Sequence, residues 1–171
     1  MKAPSGSYLI TGLPRCRTAW LAALLYGDIP CYHDNPGSLL ALVAIGTPFG
    51  LSSPSLVAWK PMLAVEIFAD APIVVVHRPA IDSRASHEAW FGSRLENWKI
   101  IEDRFAWFMR EVPRDRLLVV ESSELDNYEA ANRVHFHCLG TPLPAEKFGV
   151  FNLLKIEQHR QKVERAQKWP G

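Results

Sequence analysis

The sequence has few cysteines, almost no excess charge and no long apolar run. Its three cysteines, Cys16, Cys31 and Cys138, are odd in number and widely spaced, which favours neither a disulfide framework nor a metal cluster. A reducing, cytoplasmic setting is therefore expected. The formal net charge is only +1, which argues against nucleic acid as a partner, because such proteins usually carry a strong basic excess.

Segments that could enter a membrane are also missing. No stretch reaches the roughly 18 apolar residues that a spanning helix needs, and the apolar run before Pro14 is too short for a signal peptide. We therefore expect no membrane partner. With 171 residues, 48% of them hydrophobic and 22% charged, the chain is expected to be one domain over residues 1–171. Its polar end, residues 143–171, is a tail and a candidate lid.

Short apolar runs alternate with longer helical patterns, which is typical of a three-layer α/β/α domain with a mostly parallel central sheet. The clearest buried strand is Pro72–His77, PIVVVH, because four β-branched residues follow one another without polar alternation. Further strands are predicted at Tyr8–Thr11, Pro30–Tyr32, Phe49–Leu51 and Arg116–Glu121. Helices are predicted at Arg17–Tyr26, Pro36–Ile45, Pro54–Ala69, Arg84–Val112 (two helices or one bent helix) and Tyr128–Leu139.

The segment YLITGLPRCRTAW, residues 8–20, reads as a strand, a short cationic loop and the first turn of a helix. Such a loop gathers unpaired backbone N–H groups at a helix N-terminus, where a phosphate is favoured. Gly12 allows a sharp exit from the strand, and Arg15 and Arg17 could each clamp oxyanions with two hydrogen bonds. Thr18 adds a hydroxyl in the first helical turn.

The loop does not fit the common ATP-binding pattern G-x-x-x-x-G-K-[ST]. Counting from Gly12, the second glycine falls on Arg17, the lysine on Thr18 and the magnesium-binding hydroxyl on Ala19. An ordinary ATPase or GTPase is therefore disfavoured, and no metal is expected.

The run G-L-P-R-C-R-T-A-W instead resembles the 5′-phosphosulfate loop of sulfotransferases that use 3′-phosphoadenosine 5′-phosphosulfate (PAPS). Pro14, Arg15, Thr18 and Trp20 match the family's proline, cation, threonine and tryptophan, while Cys16 stands where serine is usual. The resemblance implies a P-loop-like fold, backbone contacts to the 5′-phosphate, Arg15 near the leaving oxygen and Trp20 against adenine. The residues it assigns to the nucleotide at this loop are Gly12, Pro14, Arg15, Cys16, Arg17, Thr18, Ala19 and Trp20.

A second match follows the strand PIVVVH. In the family, an arginine at a strand end and a serine eight positions later bind the 3′-phosphate; here these are Arg78 and Ser86. The alternatives are that Arg78 pairs with Asp82 and that Ser86 is an ordinary surface residue. Later segments, up to a Leu-Gly-x-Pro end at 139–142, extend the resemblance to about residues 7–143.

Sulfuryl transfer needs a base for the acceptor proton and a cation for the departing phosphate oxygen. Arg15 is the candidate cation, although a guanidinium cannot act as an acid. His33 and Asp34 are equal candidates for the base, and Asp34 could instead orient His33 or cap the helix starting near Pro36.

The predicted function is transfer of the sulfuryl group of PAPS, a co-substrate, to a hydroxyl or amine of an unidentified small molecule. Two alternative functions remain, a small nucleotide or nucleoside kinase and a non-catalytic nucleotide-binding module. The sequence is also compatible with a homo-oligomer. In the tail, Lys155, Arg160 or Lys162 could cover the nucleotide, although the family's R-K-G signature is absent. Cys16, at a helix N-terminus beside two arginines, is expected to have a lowered pKa.

Overall fold

The computed structural model describes residues 1–34, 39–91 and 97–153. The predicted start of a helix at Pro36 and the tail residues Lys155, Arg160 and Lys162 lie outside the described residues. No helix in the described part of the chain is long and apolar enough to cross a membrane.

Five strands and a series of helices alternate along the described chain. The strands are β1 (Tyr8–Gly12), β2 (Cys31–His33), β3 (Gly50–Ser52), β4 (Ile73–His77) and β5 (Leu117–Glu121). The helices are α1 (Thr18–Leu25), α2 (Leu39–Ile45), α3 (Pro54–Trp59), α4 (Pro61–Ile67), α5 (Ala80–Phe91), α6 (Trp98–Glu111) and α7 (Tyr128–Leu139). Residues 145–153, in the predicted tail, are also helical.

The strands form one sheet in the order β2-β3-β1-β4-β5, and each neighbouring pair is parallel. Parallel neighbours need crossover connections, and the helices between the strands supply them. β1 lies at the centre, and every residue from Tyr8 to Gly12 is buried. The predicted α/β class and its parallel sheet are confirmed.

Alternation along the central strands divides the core into two layers, because successive side chains point to opposite faces of a sheet. One layer takes Ile10 and Val76 from the strands together with Leu21 of α1 and Val134 of α7. The other layer takes Leu9, Ile73 and Val75 together with Leu56 of α3, Ala64 of α4 and Phe108 of α6. The sheet is therefore covered on both faces, which explains the continuous apolar run of β4.

One predicted helix is divided in the structure, and one predicted pair of helices begins earlier than expected. The helix predicted over Pro54–Ala69 breaks at Lys60, whose N–H still bonds to Leu56 O at 2.7 Å, and a new helix begins at Pro61. Proline disfavours a helical residue before it and lacks an N–H of its own, so the break follows from the sequence. The region predicted as Arg84–Val112 forms two helices, the first starting earlier, at Ala80.

Candidate functional site

A cleft of about 780 Å³ opens at the carboxyl ends of the strands, the edge where ligands bind in open parallel sheets. The loop after β1, the end of β2, the start of α3 and the segment after β4 all reach it. Its lining comprises Pro14, Arg15, Arg17, Thr18, Ala19, Trp20, Ala23, His33, Asp34, Pro54, Ser55, Ala58, Trp59, Arg78, Ser86, His87, Ile101 and Phe151.

The structure brings nearly all the residues assigned from the sequence to this one cleft. The candidate cation Arg15, the candidate bases His33 and Asp34, and the pair Arg78 and Ser86 all line it. Of the assigned loop residues, only Gly12 and Cys16 are not in the lining. Residues far apart in sequence are thus gathered around one space.

Gly12 is required by the close approach of two strands. A Cβ at this position would lie 2.5 Å from the carbonyl oxygen of Val76 and 3.2 Å from Cβ of Cys16. No real Cβ tolerates the first distance, so the end of β1 can lie against β4 only with glycine here. Gly12 shapes the loop rather than lining the cleft.

Cys16 is part of the core under the loop. Its side chain is completely buried, and Sγ lies 3.4 Å from Oγ of Ser83 on α5. Burial raises the pKa of the Cys16 thiol, although the hydrogen bond with Ser83 and the charge of Arg78 act against the increase. The expectation of a lowered pKa is therefore wrong, because desolvation of the thiolate outweighs the nearby positive charge.

Two successive loop carbonyls are bound by the segment after β4. Ser83 Oγ donates to Pro14 O at 2.8 Å, and Arg78 Nη1 donates to Arg15 O at 2.8 Å. Every peptide bond in the described chain is trans, so the N–H that follows each carbonyl points the opposite way. The N–H groups of Arg15 and Cys16 are therefore turned away from these two partners.

The loop holds a backbone conformation that glycine usually provides. Arg15 has φ 72° and Arg17 has φ 66°, both in the left-handed region. Arg17 directly precedes α1 and makes no side-chain cap. The first N–H groups of α1, at Thr18 and Ala19, have no partner within the helix, as at any helix start. The loop and this helix end together form a concave set of donors suited to an anion.

Arg17, predicted from the sequence as an oxyanion clamp, lines the cleft and is also bonded to the segment after β5. Its Nη1 donates to Ser122 O at 3.0 Å and its Nη2 pairs with Asp126 Oδ1 at 2.8 Å. The guanidinium also lies 5.0 Å from the ring centroid of Trp20, within cation–π range. Arg17 thus ties the loop to the segment after β5.

Trp20, the predicted adenine platform, is half-buried in the wall of the cleft. Phe148 packs edge-on against it, with ring centroids 6.5 Å apart. Its buried Nε1 has no hydrogen-bond partner among the described residues. Buried indole N–H groups usually have a partner, so this donor is consistent with a polar group of a bound ligand.

Arg78 and Ser86 both line the cleft. Arg78 donates to the Arg15 carbonyl and makes no ion pair with Asp82 in the described structure. Ser86 is half-buried and faces the cleft from α5. A guanidinium has five N–H donors, so Arg78 can hold the loop and still present donors to a ligand.

His33 has a defined proton position. Its Nδ1 lies 3.0 Å from the carbonyl oxygen of Ser52 on the adjacent strand. A carbonyl only accepts hydrogen bonds, so Nδ1 carries the proton and Nε2 of the neutral ring has a lone pair. Nε2 is 3.6 Å from Asp34 Oδ2. This arrangement suits a base at Nε2.

The carboxylate of Asp34 contacts the start of helix α3, whereas the helix start predicted near Pro36 lies outside the described residues. Its Oδ1 accepts from Ser53 Oγ at 2.9 Å and from Ser55 N–H at 3.4 Å. Ser53 Oγ in turn accepts from Leu56 N–H at 3.1 Å as the N-cap of α3. Asp34 has φ 44°, a conformation that aspartate tolerates better than most residues. One carboxylate oxygen is thus committed to the start of α3.

His87 was missed from the sequence and also lines the cleft. Ser83, Ser86 and His87 are spaced i, i+3, i+4, which places them on one face of α5. That face contacts the loop through Ser83, so the spacing could have identified His87. Trp59 was also missed; it is half exposed, and Arg104 lies 5.9 Å from its ring centroid.

Comparisons with known proteins leave the family open. No protein-family model matches the chain, and no curated protein matches it. One similar solved structure is a gluconokinase from Sinorhizobium meliloti 1021, at 11% identity over 92% of this chain and 99% of that chain, with a TM-score of 0.45. The chemistry of the cleft therefore rests on the residues of this chain.

Proposed function

We propose that the cleft binds PAPS and that the protein transfers its sulfuryl group to a hydroxyl or amine of a small acceptor. One observation carries the proposal: the loop, the Arg78–Ser86 pair and His33 converge on a single cleft. These parts come from three separate segments of the chain. A volume of about 780 Å³ also suits a nucleotide with an acceptor beside it.

Two anion positions explain the distribution of cations in the cleft. The N–H groups of the loop and of the first turn of α1 suit the 5′-phosphosulfate, with Arg15 beside it. Arg78, directly after β4, and Ser86, on α5, suit the 3′-phosphate. A ligand with phosphate on both sides of the ribose would use both positions, whereas AMP would use only one.

His33 is the base in this proposal. The acceptor oxygen or nitrogen attacks sulfur, the bond from sulfur to the phosphate oxygen breaks, and adenosine 3′,5′-bisphosphate leaves. The proton of the acceptor passes to Nε2 of His33, which the Ser52 carbonyl keeps in the required tautomer. Arg15 stabilises the charge that develops on the departing oxygen.

The kinase alternative has less support from the loop itself. Thr18 and Ala19 occupy the positions at which the ATP-binding pattern has its lysine and its magnesium-binding hydroxyl. Thr18 is also buried, with only 4% of its surface exposed.

Calorimetry with adenosine 3′,5′-bisphosphate, AMP and ATP plus magnesium tests the proposal. The bisphosphate should bind best to the wild type. Arg15→Ala should weaken all ligands that carry a 5′-phosphate. Arg110→Ala, which removes an exposed arginine from the end of α6, is the control and should change nothing.

Arg78→Ala separates two effects of one side chain. Loss of its bond to the Arg15 carbonyl would loosen the loop and weaken AMP and the bisphosphate alike. Loss of a 3′-phosphate contact would instead remove the advantage of the bisphosphate over AMP. The proposal requires the second result, and preferred binding of ATP with magnesium would replace it with the kinase function.

A further inference from the structure

His87 is a titratable side chain in the cleft that the proposed reaction does not use. It follows Ser86 directly on α5 and lines the same cleft as Arg15 and Arg78. It is half-buried, and its ring lies 6.2 Å from that of Trp98 on α6. An imidazole that lines the same cleft as two arginines and a serine is placed to contact an anion bound there.

The surroundings of His87 disfavour the charged form of its ring in the free protein. Burial and the positive charge of Arg15 lower the pKa of His87 below its ordinary value, and Glu88 on the same helix acts in the opposite direction. Glu88 is itself bonded to Nε of Arg84 at 3.0 Å. From α6 the described contact is the Trp98 ring, whose Nε1 donates to Glu102 at 2.8 Å.

We propose that His87 contacts the anion bound at Arg15, Arg78 and Ser86, and that its ring takes up a proton when this anion binds. The inference rests on the proposed function only in requiring an anion in the cleft. PAPS, another nucleotide and an inorganic salt all supply the required charge through a phosphate or sulfate group.

Anion binding changes the balance of charge around His87. In the free cleft, Arg15 opposes a second positive charge at His87. A bound dianion neutralises that repulsion and stabilises the imidazolium. Binding therefore consumes a proton at pH values between the free and bound pKa of the ring. A rise of about one pKa unit would strengthen binding about tenfold as the pH falls through this interval.

The first test uses inorganic sulfate, which does not itself titrate near neutral pH. The pKa of His87 is measured by NMR in the wild type with and without sulfate, and His87→Gln identifies its resonance among the six histidines. We expect sulfate to raise the pKa of His87. The resonance of His77, which lies outside the cleft lining and is bonded to Glu121, should not respond.

The second test uses adenosine 3′,5′-bisphosphate in buffers of different ionisation enthalpy. Proton uptake on binding should be larger for the wild type than for His87→Gln, and the titration of the ligand cancels in this difference. His77→Gln is the matched control and should take up as many protons as the wild type.

The outcomes separate this inference from the proposed function. If sulfate leaves the pKa of His87 unchanged, or if the two proteins take up equal numbers of protons, the inference is overturned while bisphosphate preference stands. If the pKa rises but ATP with magnesium binds best, the inference stands and the proposed function fails.

Discussion

The ring of His33 is fixed by the carbonyl oxygen of Ser52, which lies 3.0 Å from Nδ1. β2 and β3 are parallel, and His33 and Ser52 are partners in their register. The same carbonyl accepts the N–H of Asp34 at 3.0 Å. The tautomer of His33 is therefore set by backbone pairing at the sheet edge, and Nε2 is the nitrogen that remains for chemistry.

Replacing His33 by asparagine should separate binding from transfer. An asparagine amide N–H can take the place of Nδ1–H opposite Ser52 O, but nothing replaces Nε2. We expect unchanged binding of adenosine 3′,5′-bisphosphate and a loss of transfer of about 10²- to 10⁴-fold. Release of the bisphosphate from PAPS with a panel of simple hydroxyl and amine acceptors measures the rate. A variant with full activity would show that His33 is not the base.

Two substitutions at Asp34 distinguish capping from base catalysis. Asp34→Asn keeps an oxygen for Ser53 Oγ and tolerates positive φ, so stability and transfer should be retained. Asp34→Ala loses the contact and should lower the free energy of unfolding by about 1 kcal/mol. Urea unfolding measures the stability of both. If Asp34→Asn abolishes transfer while remaining as stable as the wild type, the base is Asp34 and not His33.

The sequence predicted those features that depend on local pattern. The run from Ile73 to Val76 predicted a buried strand, which the structure confirms, because the pattern is continuous in sequence. The anion site at the cationic loop after Gly12 stays a prediction. The adjacency of His33 and Asp34 placed two candidate bases at the end of β2. The sequence could not choose between them, since their partners lie on β3 and at the start of α3.

Long-range contacts determine the surroundings of two loop residues, Arg17 and Cys16. Arg17 bonds to residues 105 and 109 positions away, Ser122 and Asp126, so no local pattern could show that its guanidinium is engaged. Burial of Cys16 likewise depends on α5, 67 residues along the chain. The sequence correctly showed the positive charge of Arg17 and the arginines beside Cys16. Tertiary packing determined the hydrogen-bond partners of Arg17 and the pKa of Cys16.

Gly12→Ala should be strongly destabilising. The new Cβ would lie 2.5 Å from the Val76 carbonyl oxygen, so the two central strands would have to separate. We expect a loss of about 1–3 kcal/mol, in the range of overpacked cores. Gly149→Ala is the matched control, because it lies in the helical residues 145–153 with no atom within 4 Å of the added methyl group. The control should be neutral or slightly stabilising in urea unfolding.

Arg17→Gly and Arg17→Ala should differ in stability. Both lose the contacts to Ser122 and Asp126, but only glycine relieves the left-handed backbone at φ 66°. We therefore expect Arg17→Gly to be the more stable of the two by roughly 0.5–1 kcal/mol, measured by urea unfolding. Equal stabilities would mean that the loop conformation at this residue changes when the guanidinium contacts are lost.

The depressed pKa of His87 predicts how stability depends on pH. The unfolded chain has a histidine of ordinary pKa, roughly 6.5, whereas burial and Arg15 lower the pKa of His87 in the folded protein. Below about pH 6.5 the unfolded state therefore binds more protons at this residue, and stability falls with pH until the folded-state pKa is passed. His87→Gln lacks this contribution, so its free energy of unfolding should decline less than that of the wild type between pH 7.5 and pH 5.

Urea unfolding of both proteins across this range measures the difference, with His77→Gln as the control that retains His87. Parallel curves for the wild type and His87→Gln would show that the ring is not disfavoured as a cation in the free cleft, and proton uptake on anion binding would then have no basis there.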